Sequence, residues 1–326
     1  MPLRLRPILL PLSLLALLAL GARAADPLPS WREGAARSAI LAFVAAVTDS
    51  SGADFVPQRE RIAVIDNDGT TWCERPDYVP TEFQVQLMAS RAAAGVVDPD
   101  SMPYRAWLAG DRDALREYGW SAAYQALIRS FAGMPVEAFA DSARAYLART
   151  RHPRFGVAPV ALIYQPMREL YGLLAENGFE IWVVTGGEQA FVRSYIESAL
   201  GVPPARVIGS WTPPVYHEEP DGTVRMVRGD EQVYNGHEHK PANIQLRIGR
   251  RPIFAAGNSD NDQPMARWSV SGPRRALALW IHHDDAQREY AYERRVGRIA
   301  ALAADHPRVH EVSMARDWAR IFALED

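Results

Sequence analysis

Apolar residues along this chain follow two rhythms. Short continuous runs at Ile62–Ile65, Ile181–Val184, Ile253–Ala256 and Ala276–Ile281 have the pattern of strands covered on both faces. Between them, apolar positions recur at helical spacing. Ile40, Leu41, Phe43, Val44 and Val47 predict a first helix, with Ser30 placed to cap its start. Phe83 to Ala94, Met102 to Leu108, Ala122 to Phe131 and Val136 to Leu147 keep the same spacing, and so do Gln165 to Asn177, stopped by Gly178, and Gln189 to Leu200. Pro241 suits the first turn of a helix running to about Ile248. The segment from Val207 to Val233 predicts a β-hairpin, with Glu219-Pro220-Asp221-Gly222 as its turn and Val224 to Val227 as the return strand. A helix from Ala286 to Ala303 and a closing helix carrying Trp318, Ile321 and Phe322 into the core complete the expectation.

Strands alternating with helices predict an α/β fold. Residues 72 to about 150 interrupt that alternation with helical segments and no convincing strand. Such a block is either a helical insertion over the carboxyl end of the first strand or an ordinary run of connecting helices.

Composition narrows the class of protein. With 326 residues and 48% apolar composition, the chain can bury a sizeable core. Arg4 and Arg6, the apolar run Ile8 to Leu20 and then Gly-Ala-Arg-Ala have the form of a secretory signal cleaved after Ala24. Pro11 breaks that run and no cysteine follows to accept a lipid, so the expectation is an exported protein with no membrane association after cleavage. The formal charge of -3 falls to about -6 once Arg4, Arg6 and Arg23 are removed. That disfavours nucleic acid as a partner. Cys73 is the single cysteine, so no internal disulfide forms. Of the 36 basic residues only Lys240 is a lysine. A chain that otherwise uses arginine points, at that one position, to a need for a compact ammonium on a flexible stem.

Candidate chemistry gathers where strands end. Asp66 and Asp68 follow the first strand, and alternation along an extended chain turns both carboxylates to one side and Asn67 to the other. Gly69 then permits a sharp departure. Two acids this close call for a cation or a shared proton, unless the stretch is only an Asp-Gly turn. Thr185-Gly186-Gly187 sits between a strand and a helix, where it could bind an anion or simply cap the helix. Gly257-Asn258-Ser259-Asp260-Asn261-Asp262 is a second acidic turn, equally readable as an Asx turn opening a helix. His237 and His239 could bind metal or be a solvated loop. His282-His283-Asp284-Asp285 could line the mouth of a pocket or cap the helix expected at Ala286.

The order of these pieces, Asp66-x-Asp68-Gly69-Thr70, a helical block, Thr185-Gly186-Gly187, Lys240-Pro241 and Gly257-Asn258-Ser259-Asp260-Asn261-Asp262, resembles the haloacid dehalogenase superfamily. Within it, the likeness is to the phosphoserine-phosphatase-like branch with an α-helical cap. The resemblance implies a Rossmann-like, mostly parallel sheet with helices on both faces and a small β-hairpin. It divides the mature chain into a core of residues 25–71 and 156–326 and a cap of residues 72–155. It also implies that Asp66 is the nucleophile, forming an aspartyl phosphate, and that Asp68 protonates the leaving oxygen and later activates water. Thr185, the Gly186 amide and Lys240 would hold the phosphate. Mg²⁺ would sit on Asp66, the Asp68 carbonyl and Asn258, with Asp262 and Asp260 in support. Asn258 stands where the family commonly places aspartate, which removes one negative charge. Glu74 lies near the position where phosphoserine phosphatases keep an acid for the substrate's ammonium; its other reading is a solvated residue at the base of the cap. The expected function is therefore an exported Mg²⁺-dependent phosphatase of small phosphorylated substrates. Phosphomutase, dehalogenase and catalytically silent binding remain the alternatives.

Overall fold

The computed structural model describes residues 26–293 and 295–324, so the expected signal peptide lies outside the described residues. In chain order the main elements are α1 (Ala35–Thr48), β1 (Ile62–Ile65), α2 (Val79–Ala93), α3 (Tyr104–Ala109), α4 (Arg112–Tyr118), α5 (Trp120–Arg129), α6 (Val136–Arg149), α7 (Gln165–Glu176) and β2 (Glu180–Glu188). After these come α8 (Gln189–Arg193), α9 (Ile196–Leu200), β3 (Val207–Ser210), β4 (Pro214–Glu218), β5 (Val224–Arg228), α10 (His239–Ile248), β6 (Phe254–Gly257) and α11 (Gln263–Val270). The chain closes with β7 (Leu277–His282), α12 (Gly297–Asp305), β8 (Val309–Ser313) and α13 (Met314–Asp317).

The main sheet runs β3-β2-β1-β6-β7-β8, every pairing parallel. Helices pack on both of its faces, which is why β1 and β6 are buried along their whole length. The chain leaves β1 toward β2 and β3 and returns on the other side of β1 at β6. That reversal opens a crevice at the carboxyl ends of β1 and β6, where such sheets bind ligands. Helices α2 to α6 occupy the chain between β1 and β2, with Phe83, Phe131, Phe139 and Tyr146 buried among them.

Several local expectations are corrected. Ser30 does not cap α1: the helix starts at Ala35 behind Gly34, and the Ser30 amide donates to Glu169. Val207–Ser210 is an edge strand of the main sheet, so the hairpin is only β4 with β5. The helix expected from Gln189 to Leu200 is interrupted at Ser194 and Tyr195. No helix begins at Ala286. Residues 286–293 form no helix, and the Arg154 side chain captures the Ala286 and Gln287 carbonyls. The expected closing helix is absent among the described residues: α13 ends at Asp317, and Trp318, Ile321 and Phe322 follow it outside any helix, though they are buried as expected, with Trp318 and Phe322 in isolated bridges to Trp31 and Tyr164. No helix among the described residues is long and apolar enough to cross a membrane.

Candidate active site

The site is built on the carboxyl ends of β1, β2 and β6. Pairing of β1 with β6 continues one residue past the strand, with the Asp66 amide donating to the Ala256 carbonyl at 3.0 Å, and this fixes where Asp66 emerges. Its carbonyl accepts from the Thr71 hydroxyl at 2.7 Å. Asn67 points the other way, taking the Tyr195 hydroxyl at 2.7 Å. Asp68 turns back toward the Asp66 side, anchored by the Trp72 indole N–H at 2.8 Å, and Trp72 in turn stacks on Tyr195. Gly69 has φ of 72°, a left-handed conformation, and a Cβ there would fall 2.1 Å from Asn258 Nδ2. Only glycine allows the turn to approach the β6 loop this closely.

Lys240 enters from the first turn of α10 and is completely buried. Its Nζ donates to Asp66 Oδ1 at 2.6 Å, to Asp262 Oδ1 at 2.6 Å and to the Val184 carbonyl at 2.8 Å. The other oxygen of Asp262 accepts from the Asn258 and Ser259 amides and the Ser259 hydroxyl, so Asp262 both shapes the loop after β6 and holds the ammonium. Thr185 lies within β2, since the Thr-Gly-Gly stretch continues the strand and does not open a helix, contrary to expectation. Its hydroxyl reaches Asp68 Oδ2 at 3.4 Å and accepts the Gly187 amide at 2.9 Å. Gly186 is alongside, its carbonyl held by Ser210. Asn258 is buried with its Oδ1 3.4 Å from the Thr70 hydroxyl, which also lies 3.3 Å from Asp66 Oδ2.

Electrostatics follow from burial. Lys240 is held protonated against burial by Asp262 and Asp66, its pKa raised. Burial and the like charge of Asp262 push the Asp66 carboxyl up, with Lys240 pulling the other way. Burial also raises the Asp68 carboxyl, while hydrogen bonds from Trp72 and Asn67 pull it the other way. Glu74 is 5% exposed, next to the Gly69 turn, and burial raises its carboxyl too. It is not the solvated residue that one reading of the sequence allowed.

Asp260 is separate from this group. Its carboxylate accepts the Arg298 and Ile299 amides and so anchors the start of α12, which argues against the supporting role expected for it. His237 and His239 are exposed, and no group of three or more His, Cys, Asp or Glu among the described residues is placed to hold a metal. The oxygens that could do so are of other kinds. Asp66 Oδ2 and the Asn258 amide oxygen share the Thr70 hydroxyl, and the Asp68 main chain lies between Asp66 and the Gly69 turn. With three buried carboxylates against one ammonium, this oxygen-lined spot fits a hard divalent cation.

Of the turn His282–Asp285, left open above between a pocket mouth and a helix cap, His283 faces the site: it reaches Gly69 and Glu289, and no helix starts at Ala286. Glu289 and Tyr292, which stacks on the His283 ring, were not singled out in the sequence, where no motif marks them.

The haloacid dehalogenase-like hydrolase model matches residues 63–267, and the chain belongs to that family. Among solved structures, a conserved functionally unknown protein from Anaerococcus prevotii DSM 20548 is 16% identical, with 85% of this chain and 91% of that one covered at a TM-score of 0.52, a likeness of fold. A protein of unknown function from Bordetella pertussis Tohama I is 14% identical over 77% of this chain and 98% of that one, at a TM-score of 0.49. A probable phosphoserine phosphatase from Vibrio cholerae is 13% identical over 77% and 68%, at 0.40. No curated protein matches the sequence significantly.

Proposed function

We propose that this hydrolase is an exported, Mg²⁺-dependent phosphatase acting on small phosphomonoesters, with residues 72–155 as a cap that selects substrates. One observation carries the reading: the single lysine of the chain is buried against Asp66 and Asp262, beside Asp68 and Thr185. A buried ammonium between two carboxylates is costly to build and suits a site that must accept phosphoryl charge.

An Asp66 oxygen attacks phosphorus in line with the ester oxygen, the P–O bond to the alcohol breaks, and Asp68 gives its proton to the departing oxygen. Asp68, now ionised, takes a proton from water, which attacks the aspartyl phosphate and returns Asp66 with release of inorganic phosphate. The three N–H groups of Lys240 are occupied by Asp66, Asp262 and the Val184 carbonyl. Lys240 therefore acts on the phosphate chiefly through its charge, while Thr185 and the Gly186 amide supply directional donors. Mg²⁺ would be held by Asp66, the Asp68 carbonyl and Asn258, and when bound it neutralises charge on the phosphoryl oxygens. Asn258 contributes an oxygen but no charge, so metal affinity is lower than with aspartate there. Glu74, buried beside the turn, is a candidate for contacting a donor group on the alcohol portion.

A panel of phosphomonoesters assayed with wild type and Asp66→Asn, with and without chelator, tests this. Phosphate release that needs both Asp66 and the metal supports it, and no release from any member opposes it. Isotope-labelled phosphate separates hydrolysis from transfer to a second alcohol. Dehalogenase chemistry is disfavoured because it has no need of a second acid at Asp68.

A further inference from the structure

His283 is the first residue after β7 and is buried at the carboxyl edge of the sheet. Its Nε2 lies 2.7 Å from the Gly69 carbonyl and its Nδ1 lies 3.1 Å from Glu289 Oε2. A carbonyl can only accept a hydrogen bond, so Nε2 donates to Gly69, while Nδ1 faces the Glu289 carboxyl. Glu289 is fully buried and is itself surrounded by donors, with the Tyr290 amide at 2.6 Å and the Tyr164 hydroxyl and Cys73 thiol both at 3.1 Å. Burial works against its charge, but the hydrogen bonds and charge of His283 bring the carboxyl below its usual range. The imidazole is fixed from its face as well, stacked on Tyr292 with centroids 4.3 Å apart.

The position of its target gives this assembly its meaning. Gly69 is the turn residue between Asp68 and Thr70; its amide donates to the Trp72 carbonyl at 2.9 Å, and the Thr71 amide returns to the Asn67 carbonyl at 2.7 Å. The turn is thus closed by its own hydrogen bonds on one side and held by His283 on the other. We propose that His283, backed by Glu289, is a positioning residue: its grip on the Gly69 carbonyl aims Asp68 at the leaving oxygen. This rests on the phosphatase reading, in which Asp68 is the proton donor.

The test uses leaving groups of different need. An alkyl phosphate such as glycerol 3-phosphate needs a proton on its departing oxygen, whereas p-nitrophenolate leaves with little help. His283→Phe keeps an aromatic ring for the stacking but removes both ring nitrogens. Misaimed general acid catalysis should lower kcat on the alkyl phosphate by about 10²-fold, and on p-nitrophenyl phosphate by less than about 10-fold, with KM little changed. His283→Gln restores one N–H and should recover part of the alkyl phosphate rate. Equal losses on both substrates, or no loss, would overturn the assignment. Should His283→Phe not fold, Glu289→Gln carries the same comparison with a smaller predicted gap. Amide hydrogen exchange at Gly69 and Thr71 reads the tether without catalysis and should quicken in the variant. If the wild type hydrolyses no phosphomonoester yet exchange quickens, the phosphatase reading fails and the tether stands; unchanged exchange overturns the tether itself.

Discussion

Two buried charge clusters lie near the carboxyl end of β2, and they are built to opposite rules. In the first, Lys240 serves both Asp66 and Asp262, with Asp68 nearby as a third acid. In the second, Arg228 meets Glu188 one to one, at 3.1 Å for the shorter contact. Arg228 also donates to Thr212, Gln232 donates to Glu188, and the guanidinium lies 3.9 Å above the Phe139 ring. The Glu188 pair is neutral, and most of its hydrogen-bonding capacity is met. It joins β2, β5 and α6, while the main chain of Arg228 pairs with Gly133 and Met134 between α5 and α6. The Lys240 cluster is left with negative charge in excess and with Asp66 and Asp68 facing a crevice. Excess charge that a fold does not neutralise marks a place for a ligand, whereas a balanced pair fastens elements together.

The contrast can be broken by substitution. Asp66→Asn should remove turnover almost entirely, by about 10³-fold or more in kcat, while leaving the protein folded, as measured by phosphate release and thermal unfolding. Lys240→Met should cost about 10² to 10³-fold in kcat, the scale of losing one preorganised electrostatic stabiliser. It also leaves Asp66 and Asp262 facing each other without a cation, so its melting temperature reports how far the imbalance depends on Lys240. Arg228→Met should do the reverse. Removing one partner of a buried pair costs about 3 to 5 kcal/mol of stability, read by denaturant unfolding, with kcat changed only a few-fold once the protein is folded. Asn258→Asp should tighten Mg²⁺ binding by about 1 kcal/mol, observed as a lower metal concentration for half-maximal activity. Equal effects of Lys240→Met and Arg228→Met on kcat would erase the distinction.

How much of this was legible depended on the range of the contacts. Ile62–Ile65 and Ile253–Ala256 were readable because central parallel strands are apolar on both faces, and the acids at their ends stand out against that background. Lys240 was conspicuous in a chain of arginines, and its meeting with Asp66 spans 174 residues, a distance that motif order could suggest but periodicity could not. Val207–Ser210 was folded into the hairpin expectation because a short edge strand looks like the polar hairpin that follows. The spacing of Trp318, Ile321 and Phe322 is helical, yet a parallel role is open to any segment whose carbonyls find partners, and those of Trp318 and Ile321 go to Arg288 and Gln165. The Ala286 region failed likewise: the Arg154 side chain takes the Ala286, Gln287 and Glu289 carbonyls that a helix would have satisfied itself. Arg228 was not visible because its partner Glu188 lies 40 residues away, and the two readings of the His283 turn are separated only by its contact with Gly69, 214 residues away.

In the proposed reaction an Asp66 oxygen receives the phosphoryl group. Asp68→Asn, mixed with p-nitrophenyl phosphate and Mg²⁺, quenched in acid and digested, should yield the peptide spanning Asp66 with one phosphoryl group attached, because bond breaking proceeds with this leaving group while the water step lacks its base. The adduct should be absent when Asp66→Asn is added to the same background. A phosphoryl group on any other residue, or sustained phosphate release from Asp66→Asn, would contradict it.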